Sequence, residues 1–222
     1  MEKIGTEWEE YQSKLITNRI EIYDEDGITL RDVIDSSGFK GIRWRDEYVA
    51  GSWVSASGAA APDSVAYTIG GIPYTMLSFD GGNTEERIAN SFEIPHDAAL
   101  DELNSEELTI EWHVHFMPST TSSGTVKWFL DYCYIPPSLG PVTQQSVSIS
   151  QEVLTNQQYY HFIKGVNIPK PSSNYQIGGV ILFNLRRTPT DTEDTYANDA
   201  ILVKTALHVP VNDSGSRERY IK

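Results

Sequence analysis

Cysteine is nearly absent from this sequence: Cys133 is the only one in 222 residues. A lone thiol cannot close a disulfide within the chain, so stability has to come from a buried core. Cys133 lies between Tyr132 and Tyr134 in an apolar run, where it reads as a small buried hydrophobe. No apolar stretch approaches the roughly 20 residues that span a bilayer. The opening residues, Met1 to Gly5, show no basic segment followed by an apolar one. Together these absences predict a chain made and folded in a cytoplasm, without a membrane. Basic residues are scarce, with 17 Lys and Arg against 31 Asp and Glu and a formal net charge of −14. A surface that acidic repels nucleic-acid phosphates and anionic lipid, which argues against both as direct partners. Arg43, Arg45, Arg186 and Arg187 are therefore read as partners for carboxylates rather than as a basic patch. Also missing are a phosphate-cradling glycine loop, a paired-cysteine motif and a serine in a nucleophile turn.

What is present is a β rhythm. Apolar or alternating runs at 65–69, 75–79, 87–94, 108–117, 125–135, 146–153, 159–168, 176–185 and 200–209 are each closed by Pro, Gly, Asn or Asp. Strands at that spacing predict a mainly β fold, an antiparallel β-sandwich or jelly roll over residues 65–222. Only residues 97–103, following Pro95, read as helix within it. Gly178-Gly179 falls inside a strand pattern and predicts a bulge or a close backbone approach.

Residues 1–64 differ. Trp8, Tyr11 and Leu15 are spaced for a short amphipathic helix. Asp24 to Gly27 reads as a turn between strand-like arms at 20–23 and 28–30. Residues 49–64 are rich in Ala, Gly and Ser and read as a long loop in which Trp53 stands out as an interface anchor. This front segment holds too little apolar mass for its own core, which predicts an extended, partly helical arm that docks on something else.

One constellation carries chemical interest. Ile110, Trp112, Val114 and Phe116 alternate with Glu111, His113 and His115. On a strand His113 and His115 project side by side, about 7 Å apart at the backbone, with Glu111 on the same face. Two such imidazoles and a carboxylate can hold Zn²⁺ or Fe²⁺, which makes His113, His115 and Glu111 the candidate metal ligands of a cupin-like metal-dependent enzyme. The residues after His115 supply no carboxylate for that pattern, and spacing does not choose between His161 and His208 as a third imidazole. The simpler reading is a polar strand face. Between the two stands a row of histidines on a trimer axis sharing a structural ion. The loop Asp191-Thr192-Glu193-Asp194 and the turn Asp24 to Asp26 lack the spacing of a calcium loop and read as solvated. No catalytic residue and no cofactor is assigned.

Three runs together resemble a family of tailed-phage and prophage virion proteins: Phe92-Glu93-Ile94-Pro95-His96-Asp97, the strand Leu108 to Pro118, and Gly124 to Tyr132. The closing Leu207-His208-Val209-Pro210 and Ser214-Gly215-Ser216-Arg217 extend the likeness, which covers roughly residues 75–222. The resemblance implies a jelly-roll component of a virion, of collar, head-fibre, decoration or tail type. It implies a homo-oligomer, a trimer first among the options, and contacts with other virion proteins of the head, neck or tail. It implies no reaction. A glycan- or receptor-binding role for exposed aromatics is a further reading that these residues leave open.

Overall fold

The structure, a computed structural model, describes residues 20–23, 30–35, 38–48, 54–55, 60–105 and 108–212, and only the backbone of 20–23, 30–35, 38–43, 46–48 and 54–55. The expected helix at 7–15, the turn at 24–27, Trp53 and the segment 214–217 lie outside the described residues. In chain order the strands are β1 Ile20–Tyr23, β2 Leu30–Asp35, β3 Gly38–Tyr48, β4 Val54–Ser55, β5 Asp63–Ile69, β6 Ile72–Phe79 and β7 Glu86–Glu93. A short helix, α1 Leu100–Ser105, precedes β8 Glu111–Pro118, β9 Gly124–Ile135, β10 Gln145–Val153, β11 Phe162–Asn167, β12 Val180–Arg187 and β13 Ala200–Asn212.

The strands form two antiparallel sheets. One runs β10-β9-β12-β7-β4. The other has eight strands built around β13, whose length of 13 residues lets it serve several neighbours at once. One edge of β13 pairs with β6 near its start (Ala200↔Phe79) and with β3 near its end (Val211↔Arg43). The opposite edge pairs with β8, and β11 lies beyond β8. The strands β1 and β2 continue the sheet outward from β3. All nine strands expected from residue 65 onward are present, the first beginning at Asp63, in a β-sandwich of the jelly-roll class. The front segment also contributes strands, because β3 completes the free edge of β13.

Alternation supplies the core. Trp112, Val114 and Phe116 of β8 are buried against Val126, Trp128 and Leu130 of β9 and Ile181, Phe183 and Leu185 of β12. Trp128 meets Phe79 edge to face at 4.9 Å and Phe116 at 5.7 Å, so one indole joins both sheets. The Trp112 indole N–H donates to Thr205 Oγ1 at 2.7 Å, which satisfies the one polar atom that ring carries into the core.

Two expectations shift in place. The helix begins at Leu100 rather than at 97, because the backbone of 97–99 is taken by β13: Asn212 N–H donates to Asp97 O at 2.8 Å and Ala99 N–H to Pro210 O at 2.9 Å. Gly178 and Gly179 form a turn before β12 instead of lying within the strand. Gly178 has φ +75°, and a side chain on Gly179 would run into the Tyr134 ring.

Candidate functional site

The outer face of β8 is where the imidazoles gather. With Trp112, Val114 and Phe116 inward, the pleat sends Glu111, His113 and His115 outward. In register, β13 places His208 opposite Glu111 and Ala206 opposite His113. The His113 and His208 rings meet at 4.1 Å, His113 and His115 at 4.9 Å, and His115 and His161 at 5.0 Å. Trp44 of β3 closes the row on His208 at 6.4 Å. His115 Nδ1 and His161 Nε2 share a hydrogen bond of 2.9 Å, in which one ring donates N–H and the other accepts. Glu111 Oε2 lies 3.4 Å from His208 Nδ1.

The sequence places His113, His115 and Glu111 on one face, and the structure does so too. It adds His161 and His208, which spacing alone could not select because their proximity comes from the pairing of β13 and the loop before β11. The polar face of β8 is itself closed off from solvent: His113 is 3% and His115 8% exposed. The row lies on the outside of the sandwich. The space between the sheets, where an inward-facing metal centre would sit, is filled by Trp112, Phe116 and Trp128. Among the described residues no group of three or more His, Cys, Asp or Glu is arranged to hold a metal ion. The chemistry this row provides is mutual: each ring packs on, or bonds to, the next.

Arg45, Arg186 and Arg187 find carboxylates, as their setting in an acidic chain predicts, while the Arg43 side chain lies outside the described residues. Arg45 pairs with Asp97 at 2.5 Å and Arg186 with Asp131 at 2.6 Å. Arg187 pairs with Asp194 at 2.9 Å, with both side chains at most 1% exposed. The loop from Asp191 to Asp194 is likewise occupied. Lys127 Nζ reaches Asp191 at 3.1 Å and Glu193 at 2.8 Å. The Glu193 backbone N–H, with Lys127 beside it, holds the Asp191 carboxyl below the usual range. Burial raises the Asp131 carboxyl, but Arg186 and Ser146 outweigh it and leave the group below its ordinary value.

The second sheet presents a different surface. Its outer face carries a groove of about 500 Å³ over β7, β9 and β12, lined by Ala89, Ser91, Asp131, Cys133, Leu182 and Asn184, with Gln144 at one end. Cys133 is half-buried here rather than in the core, because its place in β9 is the outward phase between the inward Tyr132 and Tyr134. Leu182, at the centre of the sheet, is 42% exposed. Sequence gave no signal for this groove, since its residues come from three strands far apart in the chain.

Fold and site together define a jelly-roll β-sandwich with two differently furnished outer faces. No family model and no curated protein matches the chain. Among solved structures it is similar to the infectious bursal disease virus Gx strain structure at 14% identity and TM-score 0.38, over 91% of this chain. The chain spans 38% of that viral chain's length. It is also similar to TmCBM27, described for specific mannan recognition, at 12% identity and TM-score 0.35, over 76% of this chain and 98% of that one. TmCBM61, described in complex with β-1,4-galactotriose, gives 12% identity and TM-score 0.31, over 74% and 86% of the respective chains.

Proposed function

We propose that this chain is a non-catalytic structural subunit of a tailed-phage virion, made in the host cytoplasm, which assembles as an oligomer and docks through its front segment. The observation that carries this reading is Trp44. It stands on β3, a strand from the front segment, and is 52% exposed on the wing of the eight-stranded sheet. A large exposed indole on a rigid strand is a strong anchor for a partner protein. The residues behind the phage resemblance support the same reading. Trp112, Phe116, Trp128 and Tyr132 are buried framework, and Asp97 holds Arg45. The ionisable side chains that gather are engaged with one another, a use that fits construction better than turnover. Among the described residues no helix is long and apolar enough to cross a membrane.

Labelling particles from a lysate with an antibody to this chain tests the proposal: decoration at one position of the virion is expected, and unlabelled particles would defeat it. Trp44→Ala should leave thermal stability within about 0.5 kcal/mol. The same change should weaken incorporation into particles about tenfold, read by quantitative blotting of purified virions.

A glycan-binding role is favoured by one observation, the groove on the five-stranded sheet. Leu182 offers an apolar patch for sugar C–H groups, and Asn184, Ser91 and Gln144 offer hydrogen bonds for hydroxyls. Calorimetry against a panel of neutral oligosaccharides should give binding that Leu182→Arg abolishes. A flat response across the panel would remove this second role.

A further inference from the structure

The β5–β6 hairpin leaves the sandwich as a two-stranded ribbon. Only Leu77 to Phe79 of β6 pair with β13, so the remainder of the hairpin extends past the body of the sheet. Its turn is a two-residue Gly70-Gly71 with φ +58° and +81°, the left-handed pair that a tight hairpin turn requires. The ribbon is tied back to the body through Tyr67, the cross-strand partner of Tyr74: Tyr67 Oη and Ser78 Oγ are 2.6 Å apart, Ser78 donates to Asp199 at 3.1 Å, and Tyr67 meets Tyr159 edge to face at 6.2 Å. The tip is bare. Ile72 is 54% and Tyr74 47% exposed, and Ala66, Thr68 and Pro73 are exposed with them.

Two features make this ribbon unusual for a water-facing element. First, β5 has no strand partner but β6 among the described residues, so one row of its backbone N–H and C=O groups is open. Free edges are normally guarded by charge, proline or a bulge, and Ser64 to Ile69 has none of these. Second, from Ser64 to Phe79 there are sixteen consecutive residues without one Asp, Glu, Lys or Arg, in a chain where 22% of residues are charged. A two-stranded ribbon alone is marginally stable in water. An apolar, uncharged one gains by being covered.

We propose that this ribbon is the contact through which one copy of the chain holds a second copy. The inference rests on the oligomeric reading above and names the element that makes the contact. Charge selects the occupant. Two copies at −14 each repel across most of their surfaces, and this strip is where they can approach without bringing carboxylates together. A nucleic acid or an anionic membrane would call for basic residues, and the strip has none. Ile72 and Tyr74 supply the apolar area, and the open β5 edge supplies backbone hydrogen bonds.

Sedimentation equilibrium of the full chain is the test, comparing wild type with the double variant Ile72→Asp and Tyr74→Asp. Wild type should run at a multiple of 24.9 kDa. It should hold that mass at about 1 M salt, because an uncharged contact is not screened. The variant should keep the wild-type circular dichroism and self-associate at least about 30-fold more weakly. If the aspartates impair folding, the pair Ile72→Ser and Tyr74→Ser takes their place in the comparison. A variant that assembles like wild type overturns the ribbon and leaves the oligomeric virion reading standing. A wild-type chain that stays at 24.9 kDa at every concentration and is absent from particles overturns both.

Discussion

Replacing Arg187 by methionine is expected to cost about 3–5 kcal/mol of folding stability, a loss of about 10 °C in Tm, read by thermal or urea unfolding. Arg187 is the last residue of β12 and is 0% exposed. Its Nε and Nη2 donate to the two oxygens of Asp194, both at 2.9 Å. Its Nη1 donates to Phe79 O at 3.2 Å and Asn198 O at 2.7 Å, and Nη2 also reaches Tyr196 O. One guanidinium thus ties the second sheet to β6 of the first and pins the loop between β12 and β13. Methionine fills much of the volume but leaves Asp194 a buried charge without its cation and three carbonyls without a donor. The double variant Arg187→Met with Asp194→Leu should recover part of the loss. It cannot recover all of it, because Asp194 also accepts the Lys127 backbone N–H at 3.1 Å. If the single variant melted within a degree or two of wild type, the buried pair would not be what locks that loop.

Glu86→Gln is expected to stabilise the protein above neutral pH by up to about 3 kcal/mol and to change little below pH 4.5. Glu86 opens β7 at 6% exposure, and its Oε2 accepts the Asp80 N–H at 2.6 Å. Burial pushes its carboxyl from the ordinary 4.5 up to about 7; the Asp80 N–H opposes this, while the charges of Asp80, Asp63 and Asp199 add to it. The folded protein therefore binds a proton at Glu86 that the unfolded chain has released, between about pH 4.5 and 7. That contribution is complete below 4.5 and is lost as pH rises through 7. Glutamine keeps an acceptor for Asp80 and carries no charge, so it removes the decline. Glu85, Asp131 and Asp191 work in the opposite direction. Their carboxyls are lowered in the fold, so their contributions disappear as pH falls into the acid range. Chemical denaturation at a series of pH values separates the two. Parallel wild-type and Glu86→Gln curves across pH 5–8 would refute the assignment.

The candidate site was legible in part. His113, His115 and Glu111 share a face because a period of two is a local property of any strand. His161 joined them only through a loop that returns beside β8, and His208 only through the register of β13. Cys133 is half-buried on the outer face rather than in the core for a related reason: an apolar neighbourhood in sequence says nothing about which phase of the pleat a residue takes. Arg187 shows the same limit. Arg186 and Arg187 are adjacent and alike in sequence, yet one lies on the outer face against Asp131 and the other is sealed in the core against Asp194.

From residue 65 onward the sequence by itself determined the strands, the sandwich class and the inward rows of Trp112, Phe116 and Trp128, because backbone stereochemistry and apolar alternation act over a few residues; β3 and β4 lie in the stretch that reads as arm and loop. Tertiary structure alone decided which imidazoles meet, which arginine is buried, where Glu86 sits among like charges, and that the hairpin at Gly70-Gly71 stands uncovered. Those outcomes depend on pairing between residues tens of positions apart, and no local pattern encodes the register in which distant strands come together.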